Sequence, residues 1–427
     1  MRTLIKNATI AHCDRIEKNM DLYIKNGKLE AMGKNLQNEA DRVIDASGLY
    51  ALPGLVDAHC HLRDPGFEYK EDIASGTRSA ARGGFTSIAC MPNTNPVADN
   101  TTVVRYILDK AQREGVVNVY PIGAVTKGLE GRELSEMGSM KEAGIVAVSD
   151  DGKPVVSSSV MKKALLYASQ FNLPVISHCE DLDLAEGGSM NEGTTSTIMG
   201  LRGIPSSSED IMVARELLLS EYLGLPIHIA HVSTAASVEL IRQAKKRGVR
   251  VTAETCPHYF TLTEKACLGY NTNAKMNPPL RRQEDLEVVA EGLKDGTIDM
   301  IVTDHAPHHR DEKNVEFDSA PNGIVGFETA LALSYTYLVE TGVLTLQQLV
   351  QKLAANPSKM LHIDKGTLCC GKAADLILAD FDSEYSVDVS SFVSKSQNSP
   401  FDGFRVKGKV MATMVNGQIV YEDTTPA

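Results

Sequence analysis

Five short apolar runs of this chain end in residues able to bind metal ions. His59-Cys60-His61 closes one run, His178 another and His231 a third, while Asp150-Asp151 and Asp304-His305 close two more. On an extended strand, residues i and i+2 share a face, so the imidazoles of His59 and His61 point one way and Cys60 the other. Two such histidines can chelate one ion, but the pair alone is weak evidence. Four histidines and at least two aspartates converging suit one or two divalent ions. Imidazole and carboxylate favour zinc or a comparable borderline metal, with cobalt, manganese or iron ahead of magnesium. A single buried histidine at a strand end is more often a hydrogen-bonded core residue; the coincidence of five ends is what argues for a site. His228 lies mid-run and reads as structural, and His258, after the seventh run, is a loop residue without an evident partner. A bridged pair of divalent ions makes hydroxide available near neutral pH and polarises a carbonyl oxygen. That is equipment for opening or closing an amide without a protein nucleophile.

The elements that must position these residues alternate along the chain. Runs at 55–59, 86–91, 118–123, 145–149, 174–178, 226–231, 250–254 and 299–303 are separated by amphipathic stretches. Glu209 to Leu223 sets Ile211, Ala214, Leu217, Leu218 and Tyr222 at helical spacing, and Ser237 to Arg247 does the same with Val238, Ile241 and Ala244. Gly144, Gly224 and Gly248 follow helices where a left-handed cap is needed. Eight strand–helix alternations predict an α/β fold, a (β/α)8 TIM barrel, whose functional groups gather at the C-terminal strand ends. An open doubly wound sheet is the alternative, but no GxGxxG follows the first strand. The ends read as hairpins, with Asn26-Gly27 and Asn416-Gly417 as turn signals. Residues 1–52 and 366–427 are expected to form one composite β-sandwich beside a barrel of residues 53–365. The stretch 383–404 is the expected poorly ordered loop.

Composition narrows the function classes. In 427 residues, 43 Lys+Arg against 55 Asp+Glu give a net charge of −12, without the basic stripe of a nucleic-acid or membrane-surface protein. No apolar run nears the ~18 residues of a membrane span, and the first residues lack a signal-peptide core. A cytoplasmic location and reduced thiols for the eight cysteines are the expectations. Gly366 to Lys372 imitates a phosphate-binding loop, but Ala373 replaces the hydroxyl residue that would hold magnesium.

Four segments carry a family resemblance: His59-x-His61-Leu62-Arg63-Asp64-Pro65-Gly66, Met91-Pro92-Asn93-Thr94-Asn95-Pro96, Asn277-Pro278-Pro279-Leu280-Arg281 and Thr303-Asp304-His305-Ala306-Pro307-His308. They resemble dihydroorotases of the amidohydrolase superfamily, in the longer bacterial form. The resemblance implies that His59, His61 and Asp304 bind a first metal and His178 and His231 a second. Many superfamily members bridge the ions with a carboxylated lysine on strand 4; here the chain has Ser149-Asp150-Asp151-Gly152, with Lys153 beyond, and the longer dihydroorotases use an aspartate. Alternation along strand 4 favours Asp151 over Asp150 as the inward residue, Lys153 remaining the alternative. The implied cofactor is zinc, one or two ions per subunit bridged by Asp151.

The resemblance further implies reversible cyclisation of N-carbamoyl-L-aspartate to L-dihydroorotate, a step of pyrimidine biosynthesis. Asp304 would take a proton from the attacking hydroxide and pass it to the departing nitrogen. Arg63, two residues beyond His61, offers a bidentate fork for the substrate carboxylate; a surface ion pair with Asp64 or Glu68 is the plainer reading. By resemblance, Asn93 and His308 complete the carboxylate pocket, and Asn277 with Asn322-Gly323 meets the ring amide edges. Turn-capping for Asn93 and a plain turn at Asn322-Gly323 are the alternatives. A homodimer is the family expectation, and association with aspartate transcarbamoylase an expectation by analogy. Two other functions compete: a cyclic amidase for hydantoins, dihydropyrimidines or allantoin, whose substrates give Arg63 nothing to bind, and an inactive barrel supporting a partner, which should have lost ligands.

Overall fold

The computed structural model describes residues 2–423. Its centre is eight parallel strands: β1 (Leu55–Cys60), β2 (Phe85–Cys90), β3 (Asn118–Gly123), β4 (Ala147–Ser149), β5 (Val175–Ser177), β6 (Ile227–Ile229), β7 (Val251–Thr255) and β8 (Met300–Ile301). They pair in chain order. The circle closes just beyond β8, where Asp304 N donates to His59 O (3.0 Å) and His61 N to His305 O (2.8 Å). Closure is therefore made by the same residues that carry candidate ligands. β1 and β2 are buried along their whole length, as strands covered on both faces must be.

Helices wrap the barrel, and their ends follow local chemistry. Asn100 accepts from Thr102 N and Val103 N to start the helix Thr101–Glu114, and Thr234 accepts from Ser237 N to start Ala235–Lys246. The latter buries Val238, Ile241 and Ala244, as its spacing requires. The helix Ser207–Leu223 departs from expectation. Ile211, Leu218 and Tyr222 face solvent, and Met212, Val213, Glu216 and Leu217 face the barrel. The reason is polar. Glu209 accepts from Ser233 N (3.0 Å) and Thr234 N (3.2 Å), and Glu216 from Ser177 Oγ (2.8 Å), so the strand ends draw the acidic face inward.

Both chain ends join one sheet, in which Tyr50–Pro53 pairs antiparallel with Leu376–Asp380. Arg2–Ala11, Ile16–Lys25 and Lys28–Gly33 extend it on one side, Lys409–Val415 and Gln418–Glu422 on the other. Ile5, Ile10, Leu22, Ile24, Leu376, Leu378 and Met414 form its separate core. Both hairpin turns have positive φ at Asn and Gly, 50° and 81° at Asn26-Gly27 and 48° and 74° at Asn416-Gly417.

The segment 383–404 is ordered, against expectation. Tyr385–Ser386 pairs with Arg405–Val406, and Ser394, Ser396, Asn398 and Phe401 are buried. Its Ser- and Asn-rich composition serves the barrel top rather than solvent. Ser396 Oγ donates to Lys70 O (2.7 Å), and Asn398 Nδ2 donates to Ala306 O (3.1 Å) and Gly323 O (3.0 Å).

Candidate functional site

Alternation at the end of β1 brings His59 and His61 into the barrel mouth, and β5, β6 and β8 deliver His178, His231 and Asp304 beside them. Asp151 lies among all four imidazoles. Its carboxylate oxygens are 3.4 Å from His59 Nε2, 3.5 Å from His61 Nε2, 3.7 Å from His178 Nδ1 and 3.6 Å from His231 Nε2. Asp304 Oδ1 lies 3.1 Å from His61 Nε2 and 3.5 Å from His59 Nε2. Two donor triads result, His59/His61/Asp151 and Asp151/His178/His231, with Asp151 common to both.

The donor set fits divalent ions. Donors ~2.1 Å from one tetrahedral ion stand ~3.4 Å apart, the spacing found here. Buried His59 Nε2 faces the cluster and has no hydrogen-bond partner, an expensive state for a polar atom unless a cation takes its lone pair. Burial alone would raise the pKa of Asp151 and of Asp304, but the surrounding imidazoles outweigh it and hold both below the ordinary carboxylate range. Burial would likewise lower His178, but Asp151 and Glu180 raise it to about 10. Protons and a metal compete for the same lone pairs, so affinity falls as pH falls.

Acceptors behind the rings set which nitrogen faces inward. His61 Nδ1 is 2.9 Å from Asn93 Oδ1, and His178 Nε2 is 3.2 Å from Glu180 Oε2. Glu180 also accepts from Asn277 Nδ2 (3.1 Å). Asn93 thus backs the His61 ring and Asn277 the carboxylate behind His178, contacts the sequence did not suggest. His258 is buried, its pKa lowered to about 4 by desolvation, and it groups with Cys256 and Asp304. Asp150 turns away: it accepts from Val125 N (2.8 Å), Thr126 N (3.0 Å) and the Thr126 hydroxyl. Lys153 is exposed.

Beside the donors lies a cationic pocket. Arg63 Nε donates to Pro307 O (3.2 Å), and its Nη2 lies 3.4 Å from His308 Nε2. His308 Nε2 is 2.8 Å from Asn322 O and Nδ1 is 3.3 Å from Lys70 Nζ. The ring therefore donates to Asn322 O and accepts from Lys70, leaving no lone pair for Arg63. Asp64 is engaged elsewhere, with Lys110 at 2.7 Å. Among the described residues, no carboxylate pairs with the half-buried guanidinium. Lys313 stands near, its pKa lowered to about 7 by burial and by Lys275 and Arg63. Asn398 Oδ1 accepts from His308 N (3.1 Å), so the segment 383–404 holds His308 and Gly323 together. Arg63, His231 and Asp304 have φ of 61°, 32° and 46°; such left-handed backbone is strained and clusters at functional sites.

A family profile described as dihydro-orotase-like matches residues 48–237. The chain is 64% identical to a dihydroorotase of Acetivibrio thermocellus over 404 residues, covering 95% of each chain. It is 59% identical to one of Ruminiclostridium cellulolyticum, covering 98% of each. Among solved structures, the L-hydantoinase (dihydropyrimidinase) from Arthrobacter aurescens superposes with a TM-score of 0.88 at 30% identity, covering 98% of this chain and 96% of that one. The hydantoinase likeness accounts for the closed barrel with its terminal sheet, and the much higher identity over nearly the whole length decides the closer kinship. The chain belongs to the dihydroorotase family.

Proposed function

We propose that this chain interconverts N-carbamoyl-L-aspartate and L-dihydroorotate, the ring-closing step of pyrimidine biosynthesis, at a site that would hold one or two zinc ions, Asp151 being common to its two donor triads. His59, His61 and Asp304 would hold the first ion, His178 and His231 the second. Bound ions of this kind supply activated water and an electrophile for the amide oxygen. In the hydrolytic direction Asp304 takes the proton released as the ring amide is attacked and delivers it to the departing nitrogen; condensation runs the same transfers in reverse. Arg63 binds the ring carboxylate through its unpaired Nη face, with His308 and Asn93 bordering the pocket. Asn277 and Asn322-Gly323 bound the side where the ring amide would lie.

The observation that carries the reading is the guanidinium of Arg63, without a carboxylate of its own, beside a cluster of four imidazoles and two carboxylates. Hydantoins and dihydropyrimidines, the substrates named for the structural neighbours, bring no carboxylate to that group. Ultraviolet assays with L-dihydroorotate, hydantoin and allantoin test the reading. Turnover of dihydroorotate alone, lost on exhaustive chelation and restored by zinc, is expected; full activity in metal-free protein refutes it.

A further inference from the structure

β6 and β7 carry a polar line through the barrel interior. His228 pairs in register with Thr252, and Glu254 lies one alternation further along β7. Glu254 reaches across the barrel to β1, with Oε1 2.6 Å from His59 Nδ1. Its Oε2 is 2.9 Å from His228 Nε2, whose other nitrogen, Nδ1, is 2.8 Å from Thr252 Oγ1. Glu254, His59 and His228 are all buried. Barrel interiors are normally filled with branched aliphatic side chains. A carboxylate there is costly unless both oxygens are paired, and here each oxygen faces one imidazole nitrogen.

The tautomers follow from donor chemistry. A carboxylate only accepts, so the 2.6 Å contact requires a proton on His59 Nδ1. With a cation bound on the cluster side, beside Asp151 (3.4 Å) and Asp304 (3.5 Å), the ring is neutral, with one N–H and one lone pair, so the lone pair is on Nε2. By the same reasoning His228 donates Nε2–H to Glu254 and accepts from the Thr252 hydroxyl.

We propose that Glu254 is a positioning residue for the metal centre: it fixes the His59 tautomer and ring orientation that present Nε2 as a ligand, and His228 holds Glu254 in that pose. The inference rests on His59 being a metal ligand. It gives His228 a task in the site although the ring is remote from the barrel mouth.

Cobalt(II)-loaded protein tests the proposal, because both the visible ligand-field spectrum and the rate of metal release to a chelator report on the donors directly. In Glu254→Gln, release should be about 10–100 times faster than in wild type, with a shifted visible band. Glu254→Asp keeps the charge on a shorter arm and should fall between the two. His228→Gln leaves Glu254 and His59 in place and should speed release severalfold. In zinc-loaded protein, kcat should fall while KM for dihydroorotate changes less than twofold, since Arg63 is untouched. A cooperatively melting Glu254→Gln protein with wild-type spectrum and release rate overturns the proposal. If that variant does not fold, unchanged release from His228→Gln overturns it instead. A wild-type chain that takes up no cobalt fails one step earlier, in the ligand assignment, and overturns both.

Discussion

Replacing Arg63 with methionine separates reading of a carboxylate from general support of the site. The side chain has two engagements in the free protein: Nε donates to Pro307 O at 3.2 Å, and Nη2 lies beside a His308 nitrogen that already donates to Asn322 O. The first is lost in the variant and lowers stability by about 1 kcal/mol, read as a small drop in Tm. Backbone strain does not change, because φ is 61° and Met carries the same Cβ as Arg; a glycine would relieve that strain and confuse the comparison. What remains is the charge-assisted contact with substrate, worth about 1.5–3 kcal/mol. At about 1.4 kcal/mol per tenfold, KM for dihydroorotate should rise by one to two decades. Lysine should rescue only partly, since a point charge replaces a fork. Dihydrouracil, the same ring without the carboxylate, should be a poor substrate of both proteins and nearly indifferent to the change. Equal weakening of both compounds would mean that Arg63 supports the site rather than reads the carboxylate. Wild-type turnover of dihydrouracil as fast as dihydroorotate would refute the functional assignment.

Three further outcomes are expected. Asp151→Ala should lose metal and activity together, by elemental analysis and assay, whereas Asp150→Ala should keep both better and lose Tm, because it strands Val125 N and Thr126 N; metal content that follows Asp150 would reverse the assignment. Asp304→Asn should cut kcat by ~10²–10⁴-fold with much smaller loss of metal, and a near-normal rate with metal bound would leave the proton-transfer role unsupported. Asn398→Ala removes three buried contacts to His308 N, Ala306 O and Gly323 O, so KM should rise severalfold with kcat little changed; an unchanged KM would detach the segment 383–404 from substrate binding.

The barrel was legible because its signal is local. Eight β-branched runs alternating with helical stretches announce eight strands, and two-residue alternation separates His59 and His61 from Cys60, and Asp151 from Asp150, before any contact is known. What stayed hidden depends on residues far apart in the chain. Glu254 and His59 are 195 positions apart, and nothing in the stretch around Glu254 distinguishes a core carboxylate from a surface one. The helix Ser207–Leu223 misled for a related reason. Spacing of apolar residues assumes an apolar interior, whereas strand ends rich in Ser and Thr need acceptors, so Glu209 and Glu216 turned inward and Ile211, Leu218 and Tyr222 outward. The segment 383–404 has loop composition, and only its partners, Lys70 O, Ala306 O and Gly323 O, reveal that its polar side chains are structural.

One physical requirement connects these hidden residues. A neutral histidine that ligates through one nitrogen carries its proton on the other, and an acceptor behind the ring fixes that tautomer. His59 has Glu254 behind it, His61 has Asn93 and His178 has Glu180. His231 differs: its buried Nδ1 has no hydrogen-bond partner among the described residues, and its Nε2 lies 2.8 Å from His178 Nδ1. The three backing groups come from β7, from the loop after β2 and from the residue two beyond His178, elements that no single motif unites. The candidate ligands therefore come from strand ends, and the acceptors that would fix their tautomers come from other parts of the barrel. A grafted His-x-His pair lacking such acceptors would leave each ring to choose its own tautomer, and half of the lone pairs would point away from the ion.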